Sequence, residues 1–335
     1  MQDLTSLDDI DRRVVHALQI NPRASWAQVG AVLGVDPVTA ARRWARLRDD
    51  GTTWITAYVA PLGNQGPAAL VEIDSAGHPL EISDRLVDDP QCATIDVTSG
   101  GRDLLLTVTC REMADLTDYL LHRLGTLDHV RAIRTHLATR VITEGANWRL
   151  TSLTDAEQAR LREHVPPVDR RVRPRELTGE ERAVLAGLVI DGRASTTDLA
   201  DRAGLNPRRV RDLVRDLLRS GRLTLRTELR AAVSGWPIHA WFFLRVPASA
   251  ATTISPRLGA LPEIRTVLQI AGPNNVIMAV WLRELSDVSR LEAAIESQLR
   301  DVQIVDRSVV LRSTKRGGVV LDRTGRRLRN VPLEA

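Results

Sequence analysis

"RASTTDLADRAGLNPRRVRDLVRDLLRSG" occupies residues 193–221, and "RASWAQVGAVLGVDPVTAARRWARLRDDG" occupies residues 23–51. The two stretches follow one plan 170 positions apart without a gap. Sliding residues 7–51 onto 177–221 matches Leu7 with Leu177, Val14 with Val184, Leu18 with Leu188 and Arg23-Ala24-Ser25 with Arg193-Ala194-Ser195. It also matches Gly34 with Gly204, Pro37 with Pro207 and Leu47 with Leu217. The matched positions are core and punctuation, so the pattern is that of a repeated structural unit.

Each copy reads as three helices. Ser6 and Thr178 stand where N-caps belong, with Asp9 and Glu181 three residues on, and the apolar residues that follow recur at helical spacing. Ser25 and Ser195 cap a short second helix that Gly34 and Gly204 end, since glycine takes the left-handed conformation that closes a helix. Asp36-Pro37 and Asn206-Pro207 open a third helix as N-cap and first helical position. Helix, tight turn and helix is the helix-turn-helix plan.

The third helix has two faces. Ala40, Trp44 and Leu47, paralleled by Val210, Val214 and Leu217, form an inward stripe. Opposite them Arg208, Arg211, Arg215 and Arg219 fall within an arc of about 80° at roughly 100° per residue, and Arg209 is added to the same set. Arginines so placed neutralise phosphates and donate bidentate pairs to guanine. In the first copy Val38, Thr39, Arg42 and Arg46 take the outward side. These nine residues are the expected DNA-contacting set. The competing reading makes the second stripe a wet helix face, its arginines paired with Asp212 and Asp216.

Strand-rich sequence follows each trio. Residues 68–74, 92–99, 103–110 and 130–143 read as strands, with helices over 78–87 and 113–124. Residues 238–246, 264–271, 275–282 and 302–312 repeat the order 172 positions later, with helices over 250–260 and 285–299. The order βαββαβ is the ferredoxin-like split βαβ. The fold class expected is α+β: two three-helix, winged or plain helix-turn-helix domains, each followed by a ferredoxin-like βαββαβ sensing domain. The expected boundaries are 1–62, 63–150, a linker with a short helix at 151–175, 176–232, and 233–335 ending in a basic tail.

With 335 residues and 43% hydrophobic content the chain has enough for several cores. No apolar run reaches the roughly 18 residues that span a bilayer, and the amino terminus is acidic, so a cytoplasmic protein without membrane attachment is expected. Cys92 and Cys110 stand apart, without a CxxC or paired histidines, and read as small apolar strand residues rather than a disulfide or zinc site. Basic charge clusters: residues 170–230 hold 15 Lys and Arg against 9 Asp and Glu, and the tail from 312 holds 7 against 2. Such clustering favours a polyanionic partner, here double-stranded DNA, with linker and tail arginines adding phosphate contacts. No catalytic constellation, metal-ligand spacing or cofactor-binding loop stands out.

"LDDIDRRVVHALQINPRASWAQVGAVLGVDPVTAARRWARL" and, more loosely, "LTGEERAVLAGLVIDGRASTTDLADRAGLNPRRVRDLVRDLLRSG", each followed by βαββαβ, resemble the Lrp/AsnC family of transcription regulators. The resemblance covers nearly the whole chain, twice. Typical members hold one such unit, pair through their sheets and assemble into rings; the resemblance thus implies a fused pseudo-dimer that oligomerises further and reads an asymmetric operator. It also implies a small-molecule effector, commonly an amino acid, near the turn joining the second and third strands. Here those turns are Gly100-Gly101-Arg102-Asp103 and Gly272-Pro273-Asn274-Asn275, and Gly100, Gly101, Arg102, Asp103, Gly272, Asn274 and Asn275 are the expected effector residues. Physically the same residues suit an ordinary hairpin turn.

Two other classes compete with a ligand-responsive regulator. Siroheme decarboxylases resemble the same family and rely on histidines for their tetrapyrrole. The seven histidines here fall mostly in expected helices and strand ends, with none in either strand turn, which disfavours an enzyme. A co-regulator that keeps its helix-turn-helix only for packing is the other, and the arginine stripe argues against it.

Overall fold

A computed structural model describes residues 7–59, 66–145, 148–169, 175–259, 261–299 and 302–333. The chain divides into two units. One takes in the described residues of 1–61, 149–233 and 326–332; the other those of 62–148, 234–325 and 333.

The first unit is helical. Helices α1 (Asp9–Ile20), α2 (Trp26–Leu33) and α3 (Pro37–Asp49) lead into strand β1 (Thr53–Val59). The caps explain the boundaries. Ser25 and Gln28 form a reciprocal capping box, Gly34 ends α2 at φ +68°, and Asp36 accepts from the N–H groups of Val38 and Thr39 ahead of Pro37. Asp8 caps α1 by accepting from Asp11 N. The expected cap at Ser6 lies outside the described residues, and Asp8 takes the role because the helix begins two residues later than a Ser6 cap requires.

The same devices recur in α7 (Gly179–Ile190), α8 (Thr196–Ala203) and α9 (Pro207–Arg219), followed by β6 (Leu223–Leu229). Thr178 with Glu181 and Ser195 with Asp198 form capping boxes, Gly204 ends α8 at φ +65°, and Asn206 caps α9.

Sequence reading leaves β1 and β6 unassigned to any sheet, and the structure pairs them with each other. They run antiparallel from Thr53 opposite Leu229 to Val59 opposite Leu223. A pair of 170-related residues adds to this seam. Arg23 donates to the carbonyls of Gly192 (2.8 Å) and Ala194 (3.1 Å), while Arg193 donates to those of Pro22 (2.7 Å) and Ala24 (2.8 Å).

Residues 151–175 are more than the expected linker. Their helix α6 (Asp155–Arg162) packs on the first trio: Leu153 and Leu161 join the core around Val14, Leu18 and Trp44, and Arg13 meets Glu157 at 2.6 Å. His16 Nδ1 accepts from the N–H groups of Ser152 and Leu153 at 3.1 and 3.0 Å. Of the linker arginines, Arg170, Arg171 and Arg173 lie outside the described residues. Strand β12 (Arg327–Asn330) also belongs to this unit, with Arg327 N donating to Gly51 O at 2.9 Å.

The second unit is a closed barrel. Its first half contains β2 (Ala68–Ser75), α4 (Pro79–Leu86), β3 (Cys92–Thr98), β4 (Leu104–Thr109), α5 (Met113–Asp118) with a π-helical continuation Tyr119–Leu124, and β5 (Val130–Thr143). After a single turn α10 (Ala231–Ser234), its second half contains β7 (Ile238–Arg245), α11 (Ala248–Leu258), β8 (Ile264–Ala271), β9 (Val276–Leu282), α12 (Asp287–Gln298), β10 (Gln303–Arg316) and β11 (Val319–Leu321).

Each half orders its strands as a split βαβ: β3-β4-β2-β5 and β8-β9-β7-β10. The fourth strands make the closure. Each is 14 residues long and pairs twice, β5 with β2 through Leu137 and then with β8 from Leu137 onward, β10 with β7 through Val309 and then with β3 from Val310. The eight strands therefore form a ring with no free edge among them. Alternation along each strand separates three cores. Val71, Ile73, Leu104 and Leu106 face α4 and α5, Phe242, Leu244, Met278 and Val280 face α11 and α12, and Leu70, Leu105, Phe243 and Ile277 point into the barrel.

The expected basic tail is corrected here. Arg312 to Arg316 extend β10, and Lys315 and Arg316 are buried; their strand continues because β3 offers a partner edge. Cys92 and Cys110 are buried in the first outer core, where burial pushes the Cys92 thiol up to about 12.

Candidate nucleic-acid interface and effector turns

The third helix of each trio is fixed by its inner face. In α3 Ala40, Trp44 and Leu47 are buried, and in α9 Val210, Leu213, Val214 and Leu217. The opposite faces are open, but their arginines differ in freedom. Arg208, Arg211 and Arg219 are exposed and make no ion pair among the described residues. Arg209 is held by Glu180 of α7 at 2.9 Å through Nε, and Arg215 meets Asp212 at 2.9 Å and Asp216 at 3.4 Å. The stripe is thus divided: ion pairs engage Arg209 and Arg215, and the guanidinium groups of Arg208, Arg211 and Arg219 are without one among the described residues.

On α3, Val38 is 73% exposed, an unusual position for valine on a helix of a folded domain, and Arg42 is exposed without an ion pair among the described residues. Arg46 is tied down by Asp11 of α1 at 2.6 Å, which also takes Arg43 at 2.9 Å. Asp11 itself is buried, so this pair of bonds fixes α3 on α1. Its counterpart in the second trio is Glu181. Burial would raise its pKa, but Arg175, the Thr178 N–H and Arg222 outweigh that and lower it to about 2.

The turn residues of the barrel unit carry structural bonds. Asp103 Oδ2 accepts from both the N–H and hydroxyl of Ser75 (2.7 and 2.8 Å), at the end of β2. In the second half Asn275 does the same task with an amide: Oδ1 accepts from Val246 N at 2.9 Å, and Nδ2 donates to Val246 O at 2.7 Å. The replacement of the acid by asparagine is therefore a change of bonding partner at a shared mechanical task. Gly100 takes φ +92°, a conformation that favours glycine.

Arg102 points into the barrel. It meets Glu72 Oε2 at 2.9 Å and Ser308 Oγ at 2.5 Å, pairs with Asp306, and stacks 4.0 Å from the Phe243 ring centroid. His136 closes the network on Glu72 Oε1 at 2.7 Å. Burial would raise the Glu72 pKa, but His136 and Arg102 hold it below the usual range. A Cβ added to Gly272 would stand 3.8 Å from His136 Nδ1, so the second turn lies against the same network. Sequence reasoning missed Glu72, His136 and Asp306; the strand alternation that turns Glu72 inward was available, yet nothing local marks its partners.

Residues 7–48 match the AsnC-type helix-turn-helix domain, and residues 68–148 match the Lrp/AsnC ligand binding domain. The chain is similar to an uncharacterized HTH-type transcriptional regulator of Pyrococcus furiosus, 25% identical over 141 residues, 40% of this chain and 93% of that protein. It is similar also to the Bkd operon transcriptional regulator of Pseudomonas aeruginosa, 22% identical over 147 residues, 42% of this chain and 95% of that protein. Across 92% of this chain and 93% of the other, its fold resembles that of the siroheme decarboxylase NirDL, with a TM-score of 0.59 at 12% identity; this is a likeness of fold alone.

The first half of the chain thus matches, in order, an AsnC-type helix-turn-helix domain and an Lrp/AsnC ligand binding domain, the order found in relatives named as transcriptional regulators. Among the described residues no helix is long and apolar enough to cross a membrane.

Proposed function

We propose that the chain is a double-length regulator in which both helical trios read DNA and the barrel unit receives a small effector, an amino acid or a related molecule. The observation that carries this reading is the set Arg208, Arg211 and Arg219 on α9, exposed and without an ion pair among the described residues, in the same local frame as α3 of the matched domain. Val38, Thr39 and Arg42 would meet bases or phosphates from α3. Arg46, Arg209 and Arg215 would first have to leave their carboxylates. The reciprocal bonds of Arg23 and Arg193 favour one chain acting where typical members use two, so the operator it reads need not be symmetric.

The effector reading rests on the turns 100–103 and 272–275. With Asp103 and Asn275 engaged, backbone N–H groups of the turns and the rim of the Arg102–Glu72–His136 network are the groups that would meet a carboxylate and an ammonium. Fluorescence anisotropy on DNA from upstream of the chain's own gene, against a scrambled duplex across a salt series, tests the function. The reading predicts a preference on the order of 10³-fold. Equal weak binding to both duplexes would sink it. A second reading, tetrapyrrole chemistry, draws on the whole-chain likeness of fold; a Soret band shift on mixing with siroheme would support it, and an unchanged spectrum would remove it.

A further inference from the structure

Buried charges are ordinarily paired, because an unpaired one forfeits its hydration without return. In the barrel unit Arg102 obeys this rule, with two carboxylates and a hydroxyl. Arg316, at the far end of β10, departs from it. It is 8% exposed, yet among the described residues its guanidinium makes no ion pair; Nη2 donates to Ser313 Oγ at 3.0 Å, and the group lies 5.4 Å from the Trp281 ring centroid.

The nearest candidate counter-charge is already engaged. Asp96 Oδ1 accepts from Ser313 Oγ at 2.6 Å, and Oδ2 accepts from Trp241 Nε1 at 2.9 Å. His239 approaches Asp96 no closer than 3.8 Å, and both of its ring nitrogens are buried without a hydrogen-bond partner. Trp281, directly opposite His239 across the β7–β9 pair, likewise leaves its buried Nε1 without a partner. A second guanidinium, Arg265, stacks 4.0 Å from the Trp281 ring centroid. Burial, together with repulsion from Arg265 and despite attraction from Asp96, lowers the Arg316 pKa to about 10. Burial and the two arginines keep His239 neutral, with one N–H to donate.

One place in the fold therefore holds an unpaired guanidinium, an idle imidazole N–H and an idle indole N–H, all donors: Ser313 and Asp96 lie between Arg316 and His239, and Trp281 stands beside Arg316 and opposite His239. What these groups lack in common is an acceptor with negative charge. We propose that Arg316, His239 and Trp281 form an interior oxyanion site, taking the carboxylate or phosphate group of a small molecule. The site is separate from the strand turns and does not depend on the effector reading of them. Arg316 and His239 are each 8% exposed, so the cluster borders the surface, although the His239 ring nitrogens and Trp281 Nε1 are themselves covered.

Tryptophan fluorescence of the full chain tests this, because Trp241 and Trp281 belong to the cluster. One arm titrates inorganic phosphate and another succinate, each against sodium chloride at matched ionic strength. The wild-type chain should give a saturable change with a midpoint below about 10 mM in at least one arm, and the arm that saturates names the chemistry. Arg316→Gln and His239→Phe should each weaken the midpoint at least about tenfold. Far-UV circular dichroism reports folding, and if Arg316→Gln does not fold, His239→Phe decides. A wild-type chain that responds to neither anion beyond chloride at about 50 mM overturns the proposal, as do unchanged midpoints in the folded variants.

Discussion

Arg23 and Arg193 hold each other's loops: each guanidinium bonds the two carbonyls that flank the other in sequence. The arrangement is what a two-fold axis would produce, yet it occurs within one chain. Both groups are costly to bury. Burial and the Arg23 charge lower the Arg193 pKa to about 10, and Trp26 supplies a stacking surface 4.2 Å from its guanidinium carbon. Arg193→Ala should destabilise the helical unit by about 2 kcal/mol, since it removes two charge-assisted bonds and leaves two carbonyls unsatisfied. Arg23→Ala should cost about the same, and the double variant less than the sum, because the two share one seam. Chemical denaturation followed by circular dichroism measures all three.

On α9 the arginines should separate by their partners. Arg208→Ala, Arg211→Ala and Arg219→Ala should each lower the slope of log affinity against log salt by about 0.9 for every phosphate that goes unneutralised, while changing stability by less than about 0.5 kcal/mol. Arg209→Ala and Arg215→Ala remove groups already paired with Glu180 and Asp212, so their slopes should change less. A salt series for each variant gives the answer, and equal effects at all five positions would count against the distinction.

Acid should loosen the helical unit in two steps. His16 is held neutral, its pKa lowered to about 4 by burial and by Arg149 and Arg162, against an ordinary value of 6.5. Below pH 6.5 the unfolded chain therefore binds a proton that the folded chain refuses, and stability falls until about pH 4, by roughly 3 kcal/mol at most. Glu181 adds a second step: its contribution is complete above 4.5 and is lost as pH falls toward about 2. His16→Gln, whose side-chain oxygen can still accept from Ser152 and Leu153, should flatten the first step and leave the second. Chemical denaturation repeated across that pH range reads both.

Asp103 can be tested for the difference between bracing a strand and binding a ligand. Asp103→Asn keeps an oxygen for the Ser75 N–H, as Asn275 does for Val246, and should cost less than about 1 kcal/mol, whereas Asp103→Ala should cost about 1–3 kcal/mol. If the carboxylate also meets an effector's ammonium group, Asp103→Asn should weaken effector affinity while stability holds. Thermal unfolding with and without a candidate amino acid separates the two.

Most helices and strands are legible because their signals are local: Ser25 with Gln28, Asn206 with Pro207 and the alternation over 130–143 each act within a few residues. The pairing of β1 with β6 is not, since Thr53 and Leu229 meet across 176 positions and nothing in either strand names its partner. The barrel's closure is hidden for the same reason, although the 14-residue length of β5 is a clue, because a strand of a four-stranded sheet rarely needs so many. Charge in the tail misleads because composition cannot distinguish a solvated arginine from Arg316, which the β3 edge draws into the barrel. On α3 and α9 the outward arginines are legible, and their division into free and paired groups is not, because Asp11 reaches Arg46 and Glu180 reaches Arg209 from other helices.

Footprinting of one operator with wild-type chain, an α3 variant carrying Val38→Ala and Arg42→Ala, and an α9 variant carrying Arg208→Ala, Arg211→Ala and Arg219→Ala tests the central claim most directly. Two trios that both read DNA predict that each variant loses protection over a different half of the wild-type footprint. An α9 variant, folded by circular dichroism, whose footprint matches the wild type would contradict the account and leave the first trio as the sole reader.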